Sequence, residues 1–353
     1  MAQTLNLVKF SQVDLADPFF DSLKSQYAEF SSWFAKKTAA NEPVYVIEKA
    51  PHAGLRGFIY LKVEDGPLDD VSPPRPTARR IKVGTLKIDA HGTKLGERVI
   101  KKIFDHAVAE AANEIYVTVF DTHAKLINLF RRYGFEEVAS KTTPNGTELV
   151  LVRSMTASTG DVLKDYPFVH IQHRRFWLLA IRPEYHSHLF PDSILTTESP
   201  DILQDVSHTN TIHKVYVGGV PLTSMKHGDV VVLYRTTDHK GPALYRSVAT
   251  SICVVEEARG RKQLGSDAGL IAFAGDHSVF NVTELSEKFA ANSPLYAVRM
   301  TYNLALAKRP IRQQLLHDVG ISEQPFWQLR ELSRGQFERI ATLGEVHEGL
   351  IVD

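Results

Sequence analysis

A single cysteine, Cys253, stands among 353 residues, so no disulfide can form within the chain. That excludes the small stapled scaffolds of extracellular proteins and makes a reducing cytoplasm the expected compartment. Net charge is also missing, because Lys+Arg and Asp+Glu number 41 each. A nucleic-acid binder usually carries a basic excess, so any such contact here must come from a local patch. No apolar run approaches eighteen residues, and no membrane-spanning helix is expected. The opening stretch MAQTLNLVKFSQVDLADPFF has no basic segment followed by an apolar core, and does not read as a secretory signal. His170 with His173, and His186 with His188, are close pairs, but neither has a cysteine partner or helical i, i+4 spacing. No metal site is expected.

What is present is a globular composition, long enough for two domains. Asp17-Pro18 reads as a helix start, since Asp17 can cap free amides and Pro18 suits the first turn. Phe19, Phe20, Leu23, Tyr27, Phe30, Trp33 and Phe34 then follow helical spacing. Residues 44–48 and 57–63 read as strands. The segment GPLDDVSPPRPTARR, residues 66–80, reads as a loop because of its prolines. Ile81 to Ile88 is a predicted strand, and AHGTKLG is a turn. From Leu95 a long helix carries Val99, Ile100, Ile103, Phe104 and Ala107 on one face. Residues 115–120 form a strand. A short helix bearing Leu126, Ile127, Phe130 and Tyr133 stops at Gly134, and residues 148–152 form a last strand.

Strand, glycine-containing turn, helix, strand, short helix and Gly134-Phe135 in this order resemble the GNAT superfamily of N-acetyltransferases over roughly residues 5–153. The resemblance implies an α/β (α+β) fold with a mixed, mostly antiparallel sheet flanked by helices, and acetyl-CoA as acetyl donor. The family turn Arg/Gln-x-x-Gly-x-Gly/Ala, whose amides hold the CoA pyrophosphate, falls here on His91, Lys94 and Gly96, with Gly92 between and Leu95 opening the helix. Lys94 stands where the family has glycine. Its side chain would either obstruct the backbone or offer an ammonium to phosphate, and the second reading is preferred because Gly92 and Gly96 keep the turn pliable. The resemblance further implies that pantetheine lies along the edge of residues 84–89, including Leu86 and Ile88. The family's frequent tyrosine near the sulfur falls on Phe130, which cannot donate a proton.

Direct attack of an amine on the thioester needs a proton acceptor, since an amine of pKa about 10.4 is mostly charged at neutral pH. His123, at the family's asparagine position, is a candidate for cofactor contact or acid–base work, or else a helix cap. Asp89 is a site carboxylate or a turn former. Glu64 is a carboxylate near the acceptor amine or a solvated strand end. Tyr116 points away from the strand's core side and serves either the site or the sheet face.

Residues 154–166, SMTASTGDVLKDY, read as a linker, which gives domains at 1–153 and 167–353. The second domain reads as strands at 176–181, 214–217, 230–234, 243–256 and 295–300, followed by helices from Pro310 and from the capping box Ser333–Gln336. VPLTSMKHGDVVVLYRTTDHKG with its long return strand resembles the small β-barrels of the PUA-like group, with its ASCH and EVE branches. That resemblance implies contact with RNA or modified bases. Arg174, Arg175, Lys214, Arg235, Lys240 and Arg246 would then meet phosphates, and Tyr234 or Tyr245 would stack a base. The expectation is an acetyl-CoA-dependent N-acetyltransferase whose barrel presents RNA, charged tRNA or another RNA-associated acceptor. Its rivals are a CoA-sensing or nucleic-acid-reading protein without catalysis, and a toxin that acetylates aminoacyl-tRNA.

Overall fold

The computed structural model describes residues 5–48, 54–89, 94–190 and 211–353. The chain divides after Thr159 into two compact units.

The first unit opens with β1 (Leu5–Lys9). The aromatic run that predicts one helix folds as a 3₁₀ turn at Pro18–Phe20, then α1 (Asp21–Gln26) and α2 (Phe30–Ala39). The break lies at Tyr27, whose backbone is extended. Helical spacing survives because all three pieces turn apolar side chains (Phe19 and Phe20, Leu23, then Phe30 and Phe34) into one cluster with Phe10 and Phe58. Asp17 does cap, accepting from the Phe19 amide at 2.8 Å and also from Leu55 at 3.0 Å.

The strands β2 (Pro43–Glu48), β3 (Leu55–Leu68) and β4 (Arg75–Ile88) form a meander. Most of residues 66–80, predicted to be a loop, is therefore strand. The prolines are tolerated because the ladder is irregular where they fall: its register shifts between Gly66 and Leu68, around Pro67, while Pro73 and Pro74 lie in the connection. Arg80, with no exposed surface, braces this hairpin. Its guanidinium donates to the Gly66 and Pro76 carbonyls at 2.6 and 2.5 Å and to the Glu114 carboxylate at 2.7 Å.

Next come α3 (Leu95–Ala109), β5 (Glu114–Val119), α4 (Ala124–Arg132), β6 (Glu136–Thr143) and β7 (Gly146–Ser154). The seven-stranded sheet has the order β1-β2-β3-β4-β5-β7-β6, with β4 and β5 the parallel pair. A parallel neighbour requires a crossover, and α3 supplies it. β6 escapes the sequence reading because it is an edge strand of mostly polar residues.

The second unit contains β8 (Val169–His170), β9 (Phe176–Ile181), α5 (Pro183–Leu189), β10 (His213–Gly218), β11 (Val230–Arg235), α6 (Ala243–Arg246) and β12 (Val248–Gly260). There follow α7 (Arg261–Leu264), α8 (Asp267–Ala274), α9 (Val282–Ala290), β13 (Tyr296–Ala305), α10 (Arg312–His317), β14 (Leu329–Leu332), α11 (Arg334–Leu343) and β15 (Ile351–Val352). The return strand expected from Ala243 starts at Val248, after the helical turn that follows Pro242.

The expected barrel is instead an open sheet of order β10-β13-β12-β11-β9-β14, and among the described residues β10 and β14 are its unpaired edges. A physical reason lies in residues 261–290, which carry no predicted element. Leu264, Leu270, Phe273 and Leu285 of α7, α8 and α9 pack on Val215, Val217 and Ala297, so the apolar side chains at the β10 end of the sheet are buried by helices and need no further strand to cover them. The Ser333–Gln336 capping box forms as predicted, with Ser333 accepting from the Gln336 amide and Gln336 from the Ser333 amide. Residues 160–168 are packed, with Val162, Asp165, Tyr166 and Phe168 buried.

Candidate active site

In the first unit β4 and β5 share only four rungs, from Arg80–Glu114 to Val83–Val117. Among the described residues, β4 continues beyond Val83 to Ile88 with β3 alone as its partner, while the end of β5 pairs only with β7. The two central strands therefore part at Gly84. There the register of β4 against β3 also shifts, and a Cβ at Gly84 would come within 2.8 Å of the Tyr60 ring. Glycine is what lets β4 pass that ring before it leaves β5. Leu86 and Ile88, on the free stretch, are half-buried.

Beyond this edge the chain re-enters at α3. Lys94 is its N-cap residue and Leu95 is buried. Gly96 lies inside the helix, where a Cβ would meet Leu129 of α4 at 2.9 Å. That position thus serves the approach of two helices, whatever else its amide does. His91 and Gly92 fall outside the described residues.

At the root of the parting, side chains on one sheet face form a compact polar group. Lys62, Lys82 and Tyr116 lie in one row across β3, β4 and β5, since Lys82 is the register partner of both others. Glu64, two residues further along β3, accepts from the Tyr116 hydroxyl at 2.5 Å and from Lys62 Nζ at 3.0 Å. Lys82 Nζ lies 3.9 Å from Glu64 and 5.5 Å from the centre of the Tyr116 ring. Asp70 and Lys141 form a neighbouring ion pair. The connection after β3 covers this face, with Leu68 and Val71 packed in a small cluster with Tyr116, Ala139, Val150 and Val152, and Ser72 bridged to Ser140.

Electrostatics follow from this packing. Burial pushes the Tyr116 hydroxyl up, and its bond to the Glu64 carboxylate pushes it further, so it stays protonated across the physiological range. Burial works to raise the Glu64 carboxyl, but Tyr116, Lys62 and Lys82 outweigh it and hold it below its ordinary value. Lys82 is pushed down by burial, against the pull of Glu64 and with the push of Lys141 and Lys62. The group therefore offers an ionised carboxylate, a protonated phenol and a lysine that releases its proton more readily than usual.

The structure thus brings Glu64 and Tyr116 together, and Glu64 sits within β3 rather than at its end. The other expected residues lie apart from that pair. The Asp89 amide donates to the Arg56 carbonyl at 2.7 Å, just past the end of β4. His123 is the N-cap residue of α4 and makes no side-chain capping bond, so its ring leaves that task undone. Phe130 has no exposed surface and packs edge-on against Phe135 at 4.8 Å, so it offers nothing to a ligand. Tyr133 is equally buried.

Two features escaped the sequence reading. Lys82 was legible as the polar residue between buried Ile81 and Val83, but it passed as an ordinary strand residue. The Tyr27–Glu148 hydrogen bond of 3.1 Å joins residues 121 positions apart, and no local pattern announces it. It lies beside the end of β5, where Leu149 pairs with Val119.

In the second unit the expected phosphate contacts are largely withdrawn. Lys214 and Arg235 are buried, at 2% and 5% exposure. Arg175 holds the Glu331 carboxylate and lies 4.5 Å from the Trp177 ring, and Arg246 holds Asp238. Arg174 extends over Gly228 and donates to the His227 carbonyl at 3.5 Å. Lys240 is exposed. Tyr234 is buried beside Trp327 with ring centres 5.0 Å apart, whereas Tyr245 is 56% exposed. Alternation places Lys and Arg on strands, but it does not tell which face a helix or loop later covers.

No helix among the described residues is long and apolar enough to cross a membrane, and no group of three or more His, Cys, Asp or Glu residues among them is arranged to hold a metal ion. No family model matches this chain, and no curated protein is similar to it in sequence. Among solved structures it is similar to the ASCH protein of Zymomonas mobilis, at 12% identity, with 48% of this chain and 94% of that chain covered and a TM-score of 0.34. It is also similar to the aminoglycoside acetyltransferase AAC(6')-Ib in complex with coenzyme A and kanamycin, at 15% identity, 43% and 95% coverage and a TM-score of 0.31. A chain of the NatC complex bound to Gag peptide and CoA gives 16% identity, 42% and 97% coverage and a TM-score of 0.29.

Proposed function

We propose that the first unit transfers an acetyl group from acetyl-CoA to an amine. The observation that carries this reading is the parting of β4 and β5 after Val83, which among the described residues leaves 84–88 of β4 without a neighbouring strand on one side. Backbone groups on such an edge can pair with the amides of an extended ligand, and the pantetheine arm carries two amide groups. The half-buried Leu86 and Ile88 suit its methylenes. The first amides of α3, at Leu95 and Gly96, suit the diphosphate, since they have no partner within the helix and lie at the positive end of its dipole.

The chain's own residues supply the rest. Glu64, held ionised, takes a proton from the acceptor's ammonium so that the neutral amine can attack, while Tyr116 fixes the carboxylate's orientation. The amine nitrogen forms the new bond to the thioester carbon and the thiolate departs. The nitrogen's second proton goes to water or to the departing thiolate. A thiol of pKa about 8.5 leaves without prior protonation, which fits the absence of a hydroxyl at Phe130. RNA as partner of the second unit is no part of the proposal, because two of the six expected cations are buried and two are engaged by carboxylates.

Calorimetry with acetyl-CoA tests the binding step, and thiol release with simple amines, polyamines and peptides tests the transfer. Binding that survives Gly96→Trp unchanged would overturn the assignment of the α3 mouth. Binding without thiol release for any acceptor would favour a CoA-sensing role instead, a reading for which the interior phenylalanine at position 130 speaks.

A further inference from the structure

Lys82 is the one lysine of β4 that lies level with Tyr116 and a single residue short of the last rung between β4 and β5. Its side chain is 27% exposed, against 48% for Lys62, so it is reachable yet partly sheltered. The charged groups around it are Glu64 at 3.9 Å, Lys62, and the Asp70–Lys141 pair. Lys62 is hydrogen-bonded to Glu64 at 3.0 Å and Lys141 is tied to Asp70. Lys82 pairs with Glu64 more loosely, at 3.9 Å, and it stands at the root of the wedge.

We infer that Lys82 is a self-acetylation site: bound acetyl thioester transfers its acetyl group to Lys82 Nζ within the same chain. The inference rests on the acetyl-CoA reading above. The Lys82 ammonium first loses a proton to Glu64 or through it to water. The nitrogen lone pair then bonds to the thioester carbonyl carbon, the carbon–sulfur bond breaks, and the thiolate leaves with its electron pair. The nitrogen sheds a second proton, which balances the thiolate's return to thiol. The sum is one ammonium and one thioester giving one amide, one thiol and one free proton. The amide does not hydrolyse readily, so the product is a lasting modification rather than an intermediate. It removes one of the two positive charges beside Glu64, leaving Lys62 as the other. The lowered pKa of Lys82 agrees with this chemistry, because more of the nitrogen is neutral at a given pH.

The test is peptide mass spectrometry of the full chain incubated with acetyl-CoA, with Lys62 and Lys141 of the same molecule as internal controls. Calorimetry with unreactive CoA runs in parallel. The inference requires that Lys82 acquire acetyl at least tenfold faster than Lys62. The rate must saturate with acetyl-CoA, fall on addition of free CoA, and drop roughly 10²-fold or more in Glu64→Gln. CoA binding with no acetyl on Lys82, or with Lys82 and Lys62 labelled equally and without saturation, overturns this inference and leaves the acetyltransferase reading standing. Failure to bind CoA overturns both.

Discussion

Tyr116 on β5 and Glu64 on β3 share a hydrogen bond across the strand that separates them. Neither side chain is near the other in sequence, and Lys82 on the intervening β4 lies beside both. A buried phenol and a carboxylate that satisfy each other are a coupled unit. Removing one leaves the other to meet burial alone.

The first prediction concerns that coupling. Glu64→Gln, Tyr116→Phe and the double variant should show a coupling energy of about 0.5–3 kcal/mol in urea unfolding, rather than additive losses. Because the Glu64 pKa is depressed in the folded state, its contribution is present above the ordinary carboxylate range and is lost as pH falls through the folded value. The gap between wild type and Glu64→Gln should narrow on acidification. In thiol-release assays Glu64→Gln should lower kcat by a factor of about 10²–10⁴.

Gly84 carries a steric prediction. Gly84→Val should destabilise the first unit by about 1–3 kcal/mol, because the new side chain starts 2.8 Å from the Tyr60 ring. Gly84→Val with Tyr60→Leu should recover part of the loss, as read by urea midpoints.

At Gly96 two roles can be separated. Gly96→Ala places a methyl 2.9 Å from Leu129 Cδ2 and should weaken acetyl-CoA binding through displacement of α3 against α4. Adding Leu129→Ala should restore that binding in calorimetry. A loss that persists in the double variant would place the defect at the backbone of residue 96 itself.

His186 predicts an acid limit for the second unit. The ring is fully buried, shares a hydrogen bond of 2.8 Å with Thr250, and finds no partner for Nδ1 among the described residues. Burial, together with Arg235 and Arg309, pushes its pKa down to about 3. The unfolded chain, with histidine near pKa ~6.5, binds a proton that the folded state refuses. Stability from this group is complete above pH ~6.5 and is lost as pH falls toward the folded value. His186→Leu should therefore show a shallower loss between pH 7 and pH 4.5 than the wild type.

Much of the first unit was legible because its signals are local. The α3 face, the α4 stop at Gly134, and the strands around Ile81 and Ile115 need only periodicity and punctuation. The long β3–β4 hairpin was misread because proline counts against a strand one residue at a time. A pairing partner and an interior arginine at position 80 outweigh that penalty only in three dimensions. The same holds for the site. Glu64 could be nominated from an expected strand end and Tyr116 from alternation along its strand, but their contact is a tertiary fact. In the second unit, Lys214 and Arg235 looked like surface cations because alternation gives a face but not its fate. The helices of residues 261–290 went unread for lack of caps recognised in advance, although Asn281 and Glu284 form such a box.

Arg80 also bears on how selectivity can arise. By clasping the carbonyls of Gly66 and Pro76 while paired with Glu114, it ties both arms of the hairpin to β5. That bracing ties the rim beside Tyr116 into the sheet. On the acetyl-transfer proposal, the choice of amine would be retuned by trimming or padding Leu68 and Val71, which pack with Tyr116, rather than by loosening a hinge.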